Sequence, residues 1–278
     1  MPYKNAPYYV LAVIAVTIAG FWPSYFAPFM TVPWQFHAHG IAASLWVLMV
    51  LAQCLTVHKG QLPIHRAVGK SSLVLFPFLI GGLAAIIDLT GKGFVAGNDP
   101  VRVGFGANML IGLVLAIAAY VVLYYRALKN RRKVWLHAGY MLATPLILFE
   151  SPFSRVVGMS LAALSGAEPS GPPPIGFILM TIEIGMAAEL AVIAVLWWRF
   201  RDKAAPFLVA ALFIVAQMLG MGLTTGNALL NSLLAVIGNL PSAVVVMTGF
   251  AIGAATSWMG WQAGKRPAVP SGAAAQPA

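Results

Sequence analysis

Residues Val103–Tyr125 read VGFGANMLIGLVLAIAAYVVLYY, and Arg126–Lys133 follow as RALKNRRK. The first stretch carries no charge and, at about 1.5 Å per residue, is long enough to cross about 30 Å of hydrocarbon as a helix. The second holds Arg126, Lys129, Arg131, Arg132 and Lys133. An uncharged crossing closed by a cluster of cations is the pattern of a span that ends on the cytoplasmic side.

Working outward, comparable apolar stretches run over Tyr8–Tyr25, Phe36–Val57, Val68–Leu89, His137–Leu164, Ile175–Trp198 and Pro206–Leu223. Ala228–Trp261 is too long for one span and short for two. Ala228–Gly238 reads as an interfacial or re-entrant piece, and Pro241–Trp261 as the final crossing. The expected fold is all-α, a polytopic transmembrane bundle of about eight spans, with seven and nine as the alternatives. Residues 1–264 form a single transmembrane domain, and 265–278, rich in Ala and Pro, form a disordered cytoplasmic tail.

Composition agrees. Of 278 residues 60% are hydrophobic and 9% charged, against roughly 25% charged in a soluble domain. The net charge of +10 is carried by too few charged residues for a nucleic-acid binder, and the apolar runs exclude a disordered chain. Charge is instead an address. Lys4, Lys59, Arg66, Lys70, the Arg126–Lys133 cluster, Arg199, Arg201, Lys203, Lys265 and Arg266 all fall on one side of the eight-span arrangement. Only Lys92, Arg102 and Arg155 fall elsewhere. Both termini are therefore expected in the cytoplasm of a bacterial inner-membrane protein, with anionic lipid headgroups as partners of the basic face. A membrane-protein partner or a second copy is a further expectation; nucleic acid is not.

The N-terminal Lys4 and the apolar run after it imitate a signal peptide, but Phe21-Trp22-Pro23 replaces a small-residue cleavage site, so an uncleaved first span is expected. Cys54 has no partner for an internal disulfide and reads as a small core hydrophobe. Tyr8, Tyr9, Trp22, Trp34, Trp135, Trp197, Trp198, Trp258 and Trp261 read as interfacial aromatic belts. Thr90–Arg102 and Ser165–Pro174 are the expected outer loops, and the glycines at 81, 82, 220, 222, 249 and 253 are expected at close helix contacts.

Ionisable groups at membrane depth are costly and call for a partner or a function. Glu150, Arg155, Glu183 and Glu189 form the candidate polar intramembrane site. His37, His39, Asp88, Glu150 and Glu183 form a candidate set for a transition metal, because imidazole and carboxylate suit iron, zinc or copper. On the cytoplasmic side His65 and His137 each begin an inward-starting span, in the echoing segments LPIH and VWLH, and are candidates for haem b. Three readings of function remain open: redox or metal/haem binding; a proton-coupled transporter or carrier lined by Glu150, Glu183, Glu189 and Arg155; and a structural or assembly role.

The stretch His37-Ala38-His39-Gly40, then Trp46, Gln53, His65-Arg66 and Gly69, resembles a pattern of multi-spanning membrane proteins of proteobacteria. So does the basic run into His137, with Pro145 and Arg155. That family has no assigned activity, and the resemblance, over about residues 20–160, implies membrane location and a helical bundle. A looser likeness to b-type cytochrome bundles implies haem held by His near helix ends.

Overall fold

A computed structural model describes residues 3–166 and 171–265, and the expected tail from Arg266 onward lies outside them. Helix α1 covers Ala6–Phe21 and continues through a π-helical turn, Trp22–Phe26. The rest are α2 (Trp34–His58), α3 (Leu62–Ala96), α4 (Pro100–Lys129), α5 (Val134–Ser165), α6 (Ile175–Phe200), α7 (Ala205–Leu223), α8 (Ala228–Asn239) and α9 (Ser242–Ala263). No strand occurs among the described residues.

Seven continuous helical segments are long and apolar enough to span a membrane, and the longest, Ile175–Leu223, has 49 residues. A straight helix of that length would be about 74 Å long, more than twice a hydrocarbon core. The run is broken by a 3₁₀ turn over Arg201–Ala204, where Arg201 takes φ +49°. Beyond it α7 packs back along α6, α5 and α4. The segment is thus a helical hairpin, giving eight crossings of adequate length. α8, with 12 residues, is too short to cross, as expected of Ala228–Gly238.

The outer loop expected over Thr90–Arg102 is mostly helix. α3 continues to Ala96, stops at Gly97 in the left-handed conformation (φ +69°), and α4 starts at Pro100. Asp99 caps α4, its Oδ1 accepting from the backbone N–H groups of Val101 (3.0 Å) and Arg102 (3.2 Å). The Gly-rich stretch stays helical because α8 lies on it. A Cβ at Gly91 would stand 2.9 Å from the backbone nitrogen of Gly238, and Lys92 Nζ donates to the Leu240 carbonyl at 3.0 Å.

α3 is the centre of the bundle, with α2 and α9 as its most extensive neighbours. Small residues form the seams. A Cβ at Gly253 would strike the Pro77 backbone, and one at Gly249 would lie 2.6 Å from Ala84 Cβ. Without a hydrophobic drive between helices in lipid, this close approach supplies the packing energy. Trp46, Phe76, Leu79, Ile80, Leu123 and Tyr124 fill the interior behind the seam, all fully buried.

Basic residues gather at one end. Tyr3 packs on Trp135, Phe200 and Phe207 and donates to the Lys203 carbonyl at 2.7 Å. His58 Nε2 lies 2.8 Å from the Lys4 carbonyl, and Arg131 Nη1 donates to the Trp261 carbonyl at 2.9 Å. These contacts bring the N-terminal segment, the ends of α2, α4, α6 and α9, and the starts of α5 and α7 to what we call the basic end. At the far end Asn108 Nδ2, on α4, donates to the Met221 carbonyl (2.6 Å) and to Thr225 Oγ1 (2.8 Å).

Candidate functional site

The candidate site is built where α5 passes α1 and α6. α5 carries two internal prolines, Pro145 and Pro152. Proline has no N–H, so each removes a helical bond and loosens the turn before it. Thr144 Oγ1 donates to the Met141 carbonyl at 2.8 Å, the group Pro145 leaves without its helical donor, while accepting from Trp46 Nε1 at 2.9 Å. Gly20 lets α1 lie directly on the Pro152 backbone, where a Cβ would have no room.

Between these prolines Glu150 meets Glu189. The Glu150 backbone N–H donates to Glu189 Oε1 at 2.7 Å. Side chains on a helix lean toward its N-terminus, so Glu189 of α6 reaches toward the far end and up to α5. Glu189 is 1% exposed. Gly185, one turn before it, leaves space for the Glu150 chain, whose Cγ would be 3.3 Å from a Cβ there. Glu150 Oε1 is sealed from solvent with no hydrogen-bond partner among the described residues.

One guanidinium stands near Glu150. Arg155 donates from Nη1 to the Ser151 carbonyl (2.7 Å) and to Ser151 Oγ (2.8 Å), and lies over the Phe21 ring at 4.7 Å. It is within electrostatic reach of Glu150 and of His39. The His39 Nδ1 atom is also sealed and unpartnered among the described residues.

Glu183 sits apart, half-buried, with Oε1 3.7 Å from where a Cβ of Gly222 would be. Gly222 is the penultimate residue of α7, so Glu183 stands at the far rim beside the end of that helix. It remains within electrostatic reach of Glu150. The polar set expected at membrane depth is thus brought together, with Glu183 as its outermost member.

The metal set is not brought together. His37 Nδ1 lies 3.3 Å from the Tyr25 hydroxyl, and its ring packs on Phe29. Asp88 is closed by Lys92 Nζ at 2.5 Å on Oδ1 and Gln35 Nε2 at 3.2 Å on Oδ2. His39 lies within electrostatic reach of Arg155, a cation that disfavours a metal ion nearby. Among the described residues no group of three or more His, Cys, Asp or Glu side chains is placed to hold a metal ion.

His65 and His137, in the first turns of α3 and α5, lie within electrostatic reach of each other at the basic end. His137 Nδ1 is 2.9 Å from the Ala127 carbonyl, and the His65 carbonyl accepts from Gln53 Nε2 at 3.2 Å. His65 Nδ1 is sealed without a partner among the described residues.

Two members of the site escape the sequence reading. Tyr9 is no belt residue: its hydroxyl is sealed and unpartnered among the described residues, whereas Tyr8 beside it is 75% exposed. Tyr120 is 2% exposed with its hydroxyl in the same condition. Both hydroxyls lie within electrostatic reach of Glu189, and Tyr9 also of Tyr120. The only sequence signal is position: Tyr120 lies in mid-run, well short of the cationic cluster that closes its span.

Fold and apolar helices together define a polytopic α-helical membrane protein, with Glu150 and Glu189 linked inside its bundle through the Glu150 backbone. No family model, curated protein or solved structure matches the chain.

Proposed function

We propose that the chain is a proton-coupled carrier whose proton is held by Glu150 and Glu189. The observation that carries this reading is the 2.7 Å link from the Glu150 backbone N–H to Glu189 Oε1, with Arg155 within electrostatic reach of Glu150. Two carboxyl groups against one cation are electroneutral when they share one proton. In a medium where each uncompensated charge is costly, the pair therefore binds and releases that proton as a unit.

The remaining groups have roles that follow from their places. Arg155 fixes the charge of the site, and Ser151 fixes Arg155. Glu183 stands between the pair and the far rim. The basic end faces the cytoplasm of a bacterial inner membrane, where exposed Arg66, Lys70, Arg132 and Lys133 meet anionic headgroups.

The test is infrared difference spectroscopy of the protein reconstituted in lipid, stepped in pH. The native protein should show a protonated-carboxyl band that comes and goes with pH, and Glu189→Gln should remove it. A band that persists unchanged in both Glu189→Gln and Glu150→Gln overturns the reading.

A second reading, haem b at the basic end, is favoured by one observation. His137 Nδ1 directed at the Ala127 carbonyl leaves Nε2 free, the arrangement that orients a ligating imidazole. A haem held there by His65 and His137 would supply one-electron chemistry. The purified protein should then show a Soret band that His137→Ala abolishes; a colourless preparation with intact α-helix removes this reading.

A further inference from the structure

Glu183, Glu150 and Glu189 form a graded series. Glu183 is half-buried at the rim, Glu150 has one sealed oxygen, and Glu189 is 1% exposed. Consecutive members interact: Glu183 with Glu150 electrostatically, and Glu150 with Glu189 through the backbone N–H. Carboxylates in a row do not by themselves make a site. The second observation is Tyr120, 2% exposed, whose unpartnered hydroxyl lies on α4 within electrostatic reach of Glu189, as does that of Tyr9 on α1.

Beyond these hydroxyls, toward the basic end, the interior closes. Tyr124 stacks on Phe76 with ring centroids 4.1 Å apart, and Trp46 packs edge-on to Tyr124 at 5.2 Å. The Tyr124 hydroxyl is engaged by Ser72 Oγ at 2.8 Å, and all three rings are fully buried. The carboxyl series has an open end at Glu183 and a packed aromatic floor.

We propose that Glu183 is the port through which protons reach the Glu150–Glu189 pair from the far end, and that Tyr120 and Tyr9 complete the seat at Glu189. This rests on the proton-coupled reading above. One proton leaves the Glu183 carboxyl and is taken by the pair; no electrons move and no other bond changes. Among the described residues, the titratable or charged groups within reach of Glu189 are Tyr9 on α1, Tyr120 on α4 and Glu150 on α5, with Arg155 on α5 and Glu183 on α6 acting on Glu150. α7 carries no titratable side chain. Tyr120 and Tyr9 are positioning residues: their hydroxyls, unpartnered among the described residues, are free to turn toward the carboxylate and stabilise it over the acid.

The experiment follows the Glu189 carboxyl band, defined by its loss in Glu189→Gln, after a rapid pH step on the lipid-reconstituted protein. Glu183→Gln should slow its response by at least about tenfold, and Glu183→Asp should restore the rate. Tyr120→Phe should leave the rate alone and raise the midpoint by about one pH unit, because the charged form loses a donor. A water-soluble carbodiimide with an amine nucleophile should modify Glu183 and leave Glu189 untouched, read by peptide mass. A band that responds at native rate in Glu183→Gln, or Glu189 modified before Glu183, overturns the port. An unmoved midpoint in Tyr120→Phe overturns the seat. A band that never depended on Glu189 is a failure of the proton-coupled reading instead, and the carbodiimide pattern still judges the port.

Discussion

Asp88 and Glu189 are both carboxylates buried in the bundle, at 0% and 1% exposure, and they are treated in opposite ways. Asp88 is given a full set of donors: Lys92 one turn along its own helix, and the Gln35 amide from α2. Lys92 in turn ties α3 to the Leu240 carbonyl. Glu189 receives one backbone N–H and the company of another acid. A carboxylate with its charge matched is a tie between helices. One left short of positive charge is a place where a proton is wanted, and the fold tolerates the shortage only by holding the site with its backbone.

That contrast is broken most directly by exchanging charge for shape. Glu189→Gln should abolish the pH-dependent carboxyl band outright while changing unfolding stability by less than about 1 kcal/mol, since the amide oxygen still accepts from Glu150. Asp88→Ala should do the reverse. It leaves Lys92 and Gln35 without their acceptor and should cost about 2–3 kcal/mol in denaturant titration, tempered by Lys92 being 38% exposed, with the carboxyl band unmoved. If both variants lose stability equally, the two sites are the same kind of thing and the distinction falls.

Smaller effects sharpen it. Trp46→Phe removes the donor to Thr144 in the aromatic floor and should cost about 1 kcal/mol, visible as a lowered melting temperature in detergent. Tyr3 offers a titratable group outside the spans: burial pushes its phenol up to about 12. Ionisation is then easier in the unfolded chain, so its stabilising contribution is complete below pH of about 10 and lost as pH rises toward 12. In Tyr3→Phe this part of the alkaline slope should disappear, together with about 1 kcal/mol from the lost bond to the Lys203 carbonyl. A Tyr3→Phe slope identical to native would show that the alkaline loss arises elsewhere.

Much of this was legible from charge and apolar length alone. The Arg126–Lys133 cluster marks an end of the bundle, and the lysines and arginines of other segments gather there with it. The depth of Glu150 and Glu189 follows from counting residues between such clusters. What counting does not give is which neighbour crosses at that depth. Tyr8 and Tyr9 are adjacent and alike in sequence; only helix rotation separates the exposed one from the sealed one. Gly91-Lys92-Gly93 looks like a turn, and stays helical because a later segment, α8, rests on Gly91 through Gly238. The five-member metal set dissolved for a related reason: His37 is claimed by Tyr25 and Asp88 by Lys92 and Gln35, while His39 is left without a partner for Nδ1 among the described residues.

The glycine seam between α3 and α9 also sets an order of assembly. The helix that closes the back of α3 follows all seven other crossings in the chain, so until it is in place Pro77, Ile80 and Ala84 lack the glycines they pack on. Nothing upstream can take the place of α9, because the fit depends on Gly249 and Gly253 in their particular register. The bundle is therefore a structure whose keystone comes last in the order of its helices.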